Sequence, residues 1–160
     1  MSINILLVDS TPLINSIIKA LRCVFGEKSN IIRTSSLAET KEYEDEEFDL
    51  IITELELPDK KGCTILNVLS LLFKETPIIA TSSHENDDLV RGSIRHGAVC
   101  FINKQNESEN IIRQKLLAIW ERHMMNNHQN TLQTVMSKFS AIQNQLEEQV
   151  NDGKPQSIAN

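Results

Sequence analysis

The sequence predicts an α/β fold: a single parallel sheet of five strands with helices on both faces, followed by one extra C-terminal helix. Two observations carry the sheet. Short apolar runs alternate five times with longer segments whose apolar residues recur at helical spacing, and such alternation calls for parallel strands joined by helical crossovers. The central run is apolar throughout rather than at every second position, as a strand buried on both faces must be. A third observation adds the helix: beyond Trp120, Leu132, Val135, Phe139, Ile142 and Leu146 recur at spacings of three and four, the a/d seam of two heptads.

Composition narrows the class. A chain of 160 residues with 40% hydrophobic content holds about one domain's worth of core. Acids outnumber Lys and Arg by 22 to 16, for a formal net charge of −6, and no basic block stands out. Binding a phosphate backbone draws on clustered Lys and Arg, so direct nucleic-acid contact is not expected. Cys23, Cys63 and Cys100 are far apart, odd in number and outside any CxxC pattern. They are expected to be small buried hydrophobes of a reducing compartment rather than bridges or metal ligands. With no secretory leader pattern and no apolar run of membrane length, a cytoplasmic chain without membrane contact is the expectation.

The first strand is Ile3 to Val8, interrupted only by Asn4 and ending at Asp9-Ser10. Thr11-Pro12 supplies an N-cap and a proline at the first helical position. Ile14, Ile17, Leu21 and Val24 keep one helical face apolar through Phe25, and Gly26 stops the helix. Asn30 to Thr34 is a short second strand. Ser36 caps a weak helix over Leu37 to Tyr43, and the acidic residues Glu42, Glu44, Asp45, Glu46, Glu47 and Asp49 then form a solvated run.

Phe48 to Gly62 is the stretch around which the rest is organised. Its apolar strand delivers the carboxylate of Glu54 to the carboxyl end of the sheet, where open parallel sheets collect their ligands. Thr64 opens a helix with Ile65, Leu66, Val68, Leu69, Leu72 and Phe73 inward. Thr76-Pro77 leads into the fourth strand, Ile78 to Thr81, which ends at Ser82-Ser83. A polar helix spans Glu85 to Arg95 and Gly97 terminates it. Val99 to Asn103 is the fifth strand, with Lys104 at its end. Ser108 caps a helix whose inward positions are Ile112, Leu116, Ile119 and Trp120.

The central stretch resembles the third strand of a response-regulator receiver domain, in which an acid-led apolar strand carries a phosphorylated Asp and is followed by Met/Leu-Pro and a Gly. Leu57-Pro58 and Gly62 keep that spacing, and Glu54 stands at the position of the Asp. The resemblance extends over Ile3 to about Arg122 and implies a flavodoxin-like sheet of order 2-1-3-4-5. A receiver also holds two adjacent acids after the first strand, a Ser/Thr after the fourth and a Lys after the fifth. Asp9, Ser82 and Lys104 match, Ser10 replaces the second acid, and Phe101 matches the aromatic three residues before the Lys. Gln105 replaces the Pro that usually follows that Lys.

The substitutions alter what the resemblance implies. Receiver phosphorylation uses Mg²⁺, a hard cation held by carboxylates plus phosphate in near-octahedral geometry. Ser10 removes one ligand and one charge, for which a water or Glu56 is the candidate partial substitute. Glu54 sets its carboxylate one methylene further out, which disturbs a transfer that depends on positioning. The expectation is a pseudo-receiver with no enzymatic turnover and no cofactor, Mg²⁺ being at most weakly held at Asp9 and Glu54. Glu54 is expected to imitate a phosphorylated Asp by pairing with Lys104, holding Ser82 and Phe101 in one arrangement. A working Mg²⁺-dependent phospho-acceptor and a structural assembly or dimerisation module are the alternatives.

Four further residues are read as bystanders. His84 is a loop histidine near the rim of the site, where receivers tune dephosphorylation. Cys63 is a packing residue, although a helix N-terminus lowers thiol pKa. His123 and His128 lack the spacing of metal ligands. The expected organisation is therefore residues 1–123 as the receiver-like domain, 124–130 as a polar connector, 131–150 as the amphipathic helix and 151–160 as a disordered tail. A seam of this kind does not stay exposed in water: it is expected to pair with its copy, to lie in a partner's groove or to fold back on the receiver-like domain. Expected partners are a second copy in a homodimer, or a protein such as a histidine kinase or another regulator.

Overall fold

The computed structural model describes residues 2–84 and 86–153. Two compact units divide the chain after Trp120. In the first, β1 (Asn4–Val8), β2 (Asn30–Thr34), β3 (Leu50–Glu54), β4 (Ile78–Ser82) and β5 (Ala98–Asn103) form one sheet of order β2-β1-β3-β4-β5. Every pairing in it is parallel. The connecting helices are α1 (Ile14–Phe25), α2 (Leu37–Thr40), α3 (Thr64–Leu72) and α4 (Asp87–Arg95), and α5 (Glu109–Asp152) follows the last strand.

Because side chains alternate across a strand, the apolar runs feed two cores. Leu6, Val8, Ile51 and Ala80 face one side, where Ile65, Leu66 and Leu69 of α3 cover them. Ile5, Leu7, Ile52 and Ile79 face the other, beneath Ile14, Ile17 and Leu21 of α1 and Ile112 and Leu116 of α5. Phe25 and Trp120 meet edge to face, ring centroids 5.4 Å apart, and pin the end of α1 to α5. Among the described residues no core member lies beyond Ile119.

Several local expectations are corrected. Helix α1 begins at Ile14, two residues later than a Thr11 cap requires, and Leu13 occupies the N-cap position without a side-chain bond. Thr11 is instead turned toward the site, as described below. The weak helix after Ser36 is α-helical only to Thr40 and tightens to a 3₁₀ turn over Lys41–Tyr43. Helix α4 starts at Asp87, capped by Asn86, whose side chain accepts from the Leu89 N–H. Cys23 is exposed, and Cys63 and Cys100 are half-buried rather than buried.

The second unit is the continuation of α5. Residues 124–130 are helical, so the polar patch interrupts the apolar face and not the backbone. Polar side chains alone do not break a helix that lacks Gly and Pro. The helix includes Asn151 and Asp152 of the expected tail, and residues 154–160 lie outside the described residues. No helix among the described residues is long and apolar enough to cross a membrane.

One loop contact ties the β3–α3 connection to its neighbour. The Asp59 carboxylate accepts from the N–H groups of Leu37 and Ala38, at 3.1 and 2.9 Å, while the Ser36 hydroxyl accepts from Glu39. Desolvation pushes the Asp59 carboxyl up, but the Ala38 and Leu37 N–H groups outweigh it and hold it below its ordinary 3.8. A depressed carboxyl contributes stability that is present above its ordinary value and is lost as pH falls through the lower folded value. Asp59→Asn is therefore expected to cost less than about 1 kcal/mol near neutral pH, because the exposed carboxylate is screened by solvent. Urea unfolding as a function of pH checks this, because the deficit should close as pH drops below 3.8.

Candidate functional site

The carboxyl ends of β1, β3, β4 and β5 converge on one buried cluster. Asp9 follows β1, Glu54 ends β3, Ser82 ends β4 and Lys104 follows β5, each at most 4% exposed. The ammonium group of Lys104 lies 2.6 Å from Asp9 Oδ2 and is ion-paired with Glu54 Oε2. It also donates to Thr11 Oγ1 at 2.8 Å. The backbone N–H of Lys104 donates to the Ser82 carbonyl at 3.0 Å, which places the lysine stem at the sheet edge.

The other carboxylate oxygens are held by the loops. Asp9 Oδ1 accepts from the Thr11 N–H at 2.6 Å and from its hydroxyl at 2.7 Å. Glu54 Oε1 accepts from the N–H groups of Leu55 and Glu56 at 2.8 and 3.1 Å. Burial pushes the Glu54 carboxyl above its ordinary 4.5, opposed by the hydrogen bond and charge of Lys104. Two acids and one base make a cluster with an excess negative charge when both acids are ionised, and desolvation resists that excess.

Loop anchors set these positions. Arg33 reaches across from β2, Nε donating to the Asp9 carbonyl at 3.2 Å and Nη2 to the Thr11 carbonyl at 3.0 Å. The β3–α3 loop is closed by the Gly62 N–H donating to the Leu55 carbonyl at 2.7 Å. Gly62 adopts φ +79°, a conformation that glycine enters without steric cost. Phe101 is buried in the core on the α3 side, and its carbonyl accepts from Lys115 Nζ at 2.9 Å.

The remaining candidates do not join the cluster. Ser10 is exposed. Glu56 is also exposed, its side chain 3.6 Å from His84 Nδ1, and it does not take the place of the missing acid. The His84 backbone N–H donates to Ser82 Oγ at 3.0 Å. Cys63 packs against the α3-side core, and burial pushes its thiol up. Sequence reading missed Thr11, whose hydroxyl bridges Asp9 and Lys104. Its place directly after Asp9-Ser10 was the available signal, and the capping interpretation obscured it.

The donor set offers Mg²⁺ two carboxylates, both engaged by the Lys104 ammonium. That ion takes near-octahedral oxygen coordination, usually from one or two carboxylates together with waters and phosphate oxygens. Here both buried carboxylates already face the Lys104 ammonium, and the second acid position is a neutral, exposed serine. Among the described residues no group of three His, Cys, Asp or Glu converges in a metal-holding arrangement.

A doubly wound parallel sheet with two carboxylates, a serine and a lysine gathered at its carboxyl edge defines a receiver-type domain. The sequence matches the response regulator receiver domain over residues 5–115, and the chain belongs to that family. It is similar to the two-component response regulator ORR21 of Oryza sativa subsp. indica, 25% identical over 155 residues, covering 93% of this chain and 22% of that protein. It is also similar to the regulatory protein LuxO of Vibrio vulnificus (strain YJ016), 32% identical over 63 residues, or 39% of this chain and 14% of that protein. The chain thus spans about a fifth or less of the length of these curated relatives.

Solved structures agree in fold. A response regulator from Thermotoga maritima superposes with a TM-score of 0.64 at 17% identity, covering 76% of this chain and 99% of that one. A CheY-like receiver domain protein from Methanospirillum hungatei JF-1 gives 0.66 at 18% identity, with 79% and 99% covered.

Proposed function

We propose that the chain is an atypical two-component signalling protein: a receiver-like adaptor that works through protein contacts, without Asp phosphorylation or enzymatic turnover, in the cytoplasm. The observation that supports this reading is the pairing of Lys104 with both Asp9 and Glu54. In phosphoryl transfer the protein contributes positioning and charge stabilisation. A glutamate at the acceptor position sets its carboxylate one methylene beyond where an aspartate's would lie, and the lysine opposite it is already shared between two carboxylates. The pocket instead resembles a permanently occupied one, with Glu54 supplying the negative group. Signalling then depends on which protein is bound: a histidine kinase, another regulator or a second copy of this chain. The exposed seam on α5 supports self-association of identical chains.

Intact mass spectrometry after incubation with Mg²⁺ and a small acyl-phosphate donor tests the reading. The native chain is expected to stay unmodified while Ser10→Asp/Glu54→Asp gains a phosphoryl group. Modification of the native chain would instead identify a working phospho-acceptor.

A further inference from the structure

We infer that the C-terminal half of α5 assembles identical chains into a bundle of three or four copies rather than a two-stranded coil. The inference rests on the self-association reading and sharpens it. The spacing of Leu132, Val135, Phe139, Ile142 and Leu146 admits one heptad register, with Leu132, Phe139 and Leu146 at a and Val135 and Ile142 at d. Helical structure is continuous through all of them, and each is about half exposed or more, from 49% for Leu132 to 62% for Phe139.

The identity of the seam residues chooses the assembly. A β-branched residue at a with Leu at d favours two strands, whereas Leu at a with Ile at d shifts the preference to three or four. Leu132 and Leu146 at a with Ile142 at d follow the second pattern, Val135 adds a second β-branched residue at d, and the bulky Phe139 stands at the central a. Independently, Met136 and Val150 fall at e, 68% and 62% exposed. They widen the apolar stripe toward three positions in seven, the face of a bundle helix rather than a two-stranded seam.

Charge identifies the occupant as the same chain. From Thr131 to Leu146 the single charged side chain is Lys138, at g. In a parallel assembly it sits beside the e position of the neighbouring copy, Gln143, which is neutral. Identical helices therefore meet without like-charge repulsion, and the flanks carry none of the paired charges by which a coil selects a different partner.

Sedimentation equilibrium of the full chain is expected to give three or four times the 18.1 kDa chain mass. Leu132→Ile/Val135→Leu/Ile142→Leu/Leu146→Ile keeps the apolar content but exchanges the a and d chemistry, and is expected to reduce the mass to two copies. Met136→Lys/Val150→Lys, which leaves a and d intact, is expected to lower the mass as well. A native mass of two copies would overturn the bundle while leaving self-association standing, and a native mass of one copy would overturn both. An exchanged variant that keeps the native mass would overturn the register argument.

Discussion

Lys104→Met is expected to destabilise the domain by about 3–5 kcal/mol, the scale of breaking a buried ion pair from one side. The side chains of Lys104, Asp9 and Glu54 are 0%, 1% and 2% exposed, so the charges have no solvent to fall back on. Methionine fills the volume of the lysine stem but leaves two carboxylates facing each other without a cation, and it removes a hydrogen-bond donor from Thr11. Glu54→Gln is expected to behave in the opposite way. It leaves a neutral Asp9–Lys104 pair and removes the excess negative charge, so stability at neutral pH should be unchanged or improved.

The pH dependence follows from the sign of the Glu54 shift. A carboxyl raised above its ordinary value binds its proton more readily in the folded state, so ionising it costs stability that accrues as pH rises above 4.5. The advantage of Glu54→Gln should therefore shrink as pH falls toward and below 4.5. Urea midpoints for the native chain and both variants across this range are the measurement. A loss under about 1 kcal/mol for Lys104→Met, the scale of an exposed pair, would show that the cluster does not hold the loops.

Deleting residues beyond Asn130 is expected to reduce the chain to a monomer without unfolding the receiver unit. The two cores end at Ile119 among the described residues, and the Phe25–Trp120 contact lies ahead of the cut. What the deletion removes is Leu132, Val135, Phe139, Ile142 and Leu146, exposed apolar surface that contributes nothing to those cores. Light scattering should report one copy. The thermal midpoint of the truncated chain should be independent of protein concentration, because assembly no longer adds its mass-action term. An unchanged mass would move the association surface onto the receiver unit.

The sheet was legible in the sequence because buried parallel strands leave little choice. Leu50–Glu54 and Ile78–Ser82 are buried along their whole length, and a continuous apolar run bounded by turn residues has few other homes. The long C-terminal helix was legible for a different reason: apolar spacings of three and four mark a helix whether or not its face is covered. The candidate site was legible as a set of residues, since Asp9, Glu54, Ser82 and Lys104 each stand at a strand end. The sequence alone did not reveal how they divide the charge.

Tertiary structure decided that division. Whether Glu56 could replace the missing acid depended on which way a loop side chain points, and it points to His84 in solvent. Thr11 carries the chemistry of a helix cap, and a cap is what local sequence favours. In the folded chain Arg33 from β2 holds the loop, the Lys104 ammonium competes for the hydroxyl, and the helix starts later. Residues 124–130 likewise look like a boundary in composition, yet the backbone bonds of α5 pass through them undisturbed. Patterns of burial are written along the chain because each residue meets water or core by its own chemistry. Bonds between Lys104 and residues 93 and 95 positions away depend on where the sheet brings separate strands together, and only the folded sheet contains that information.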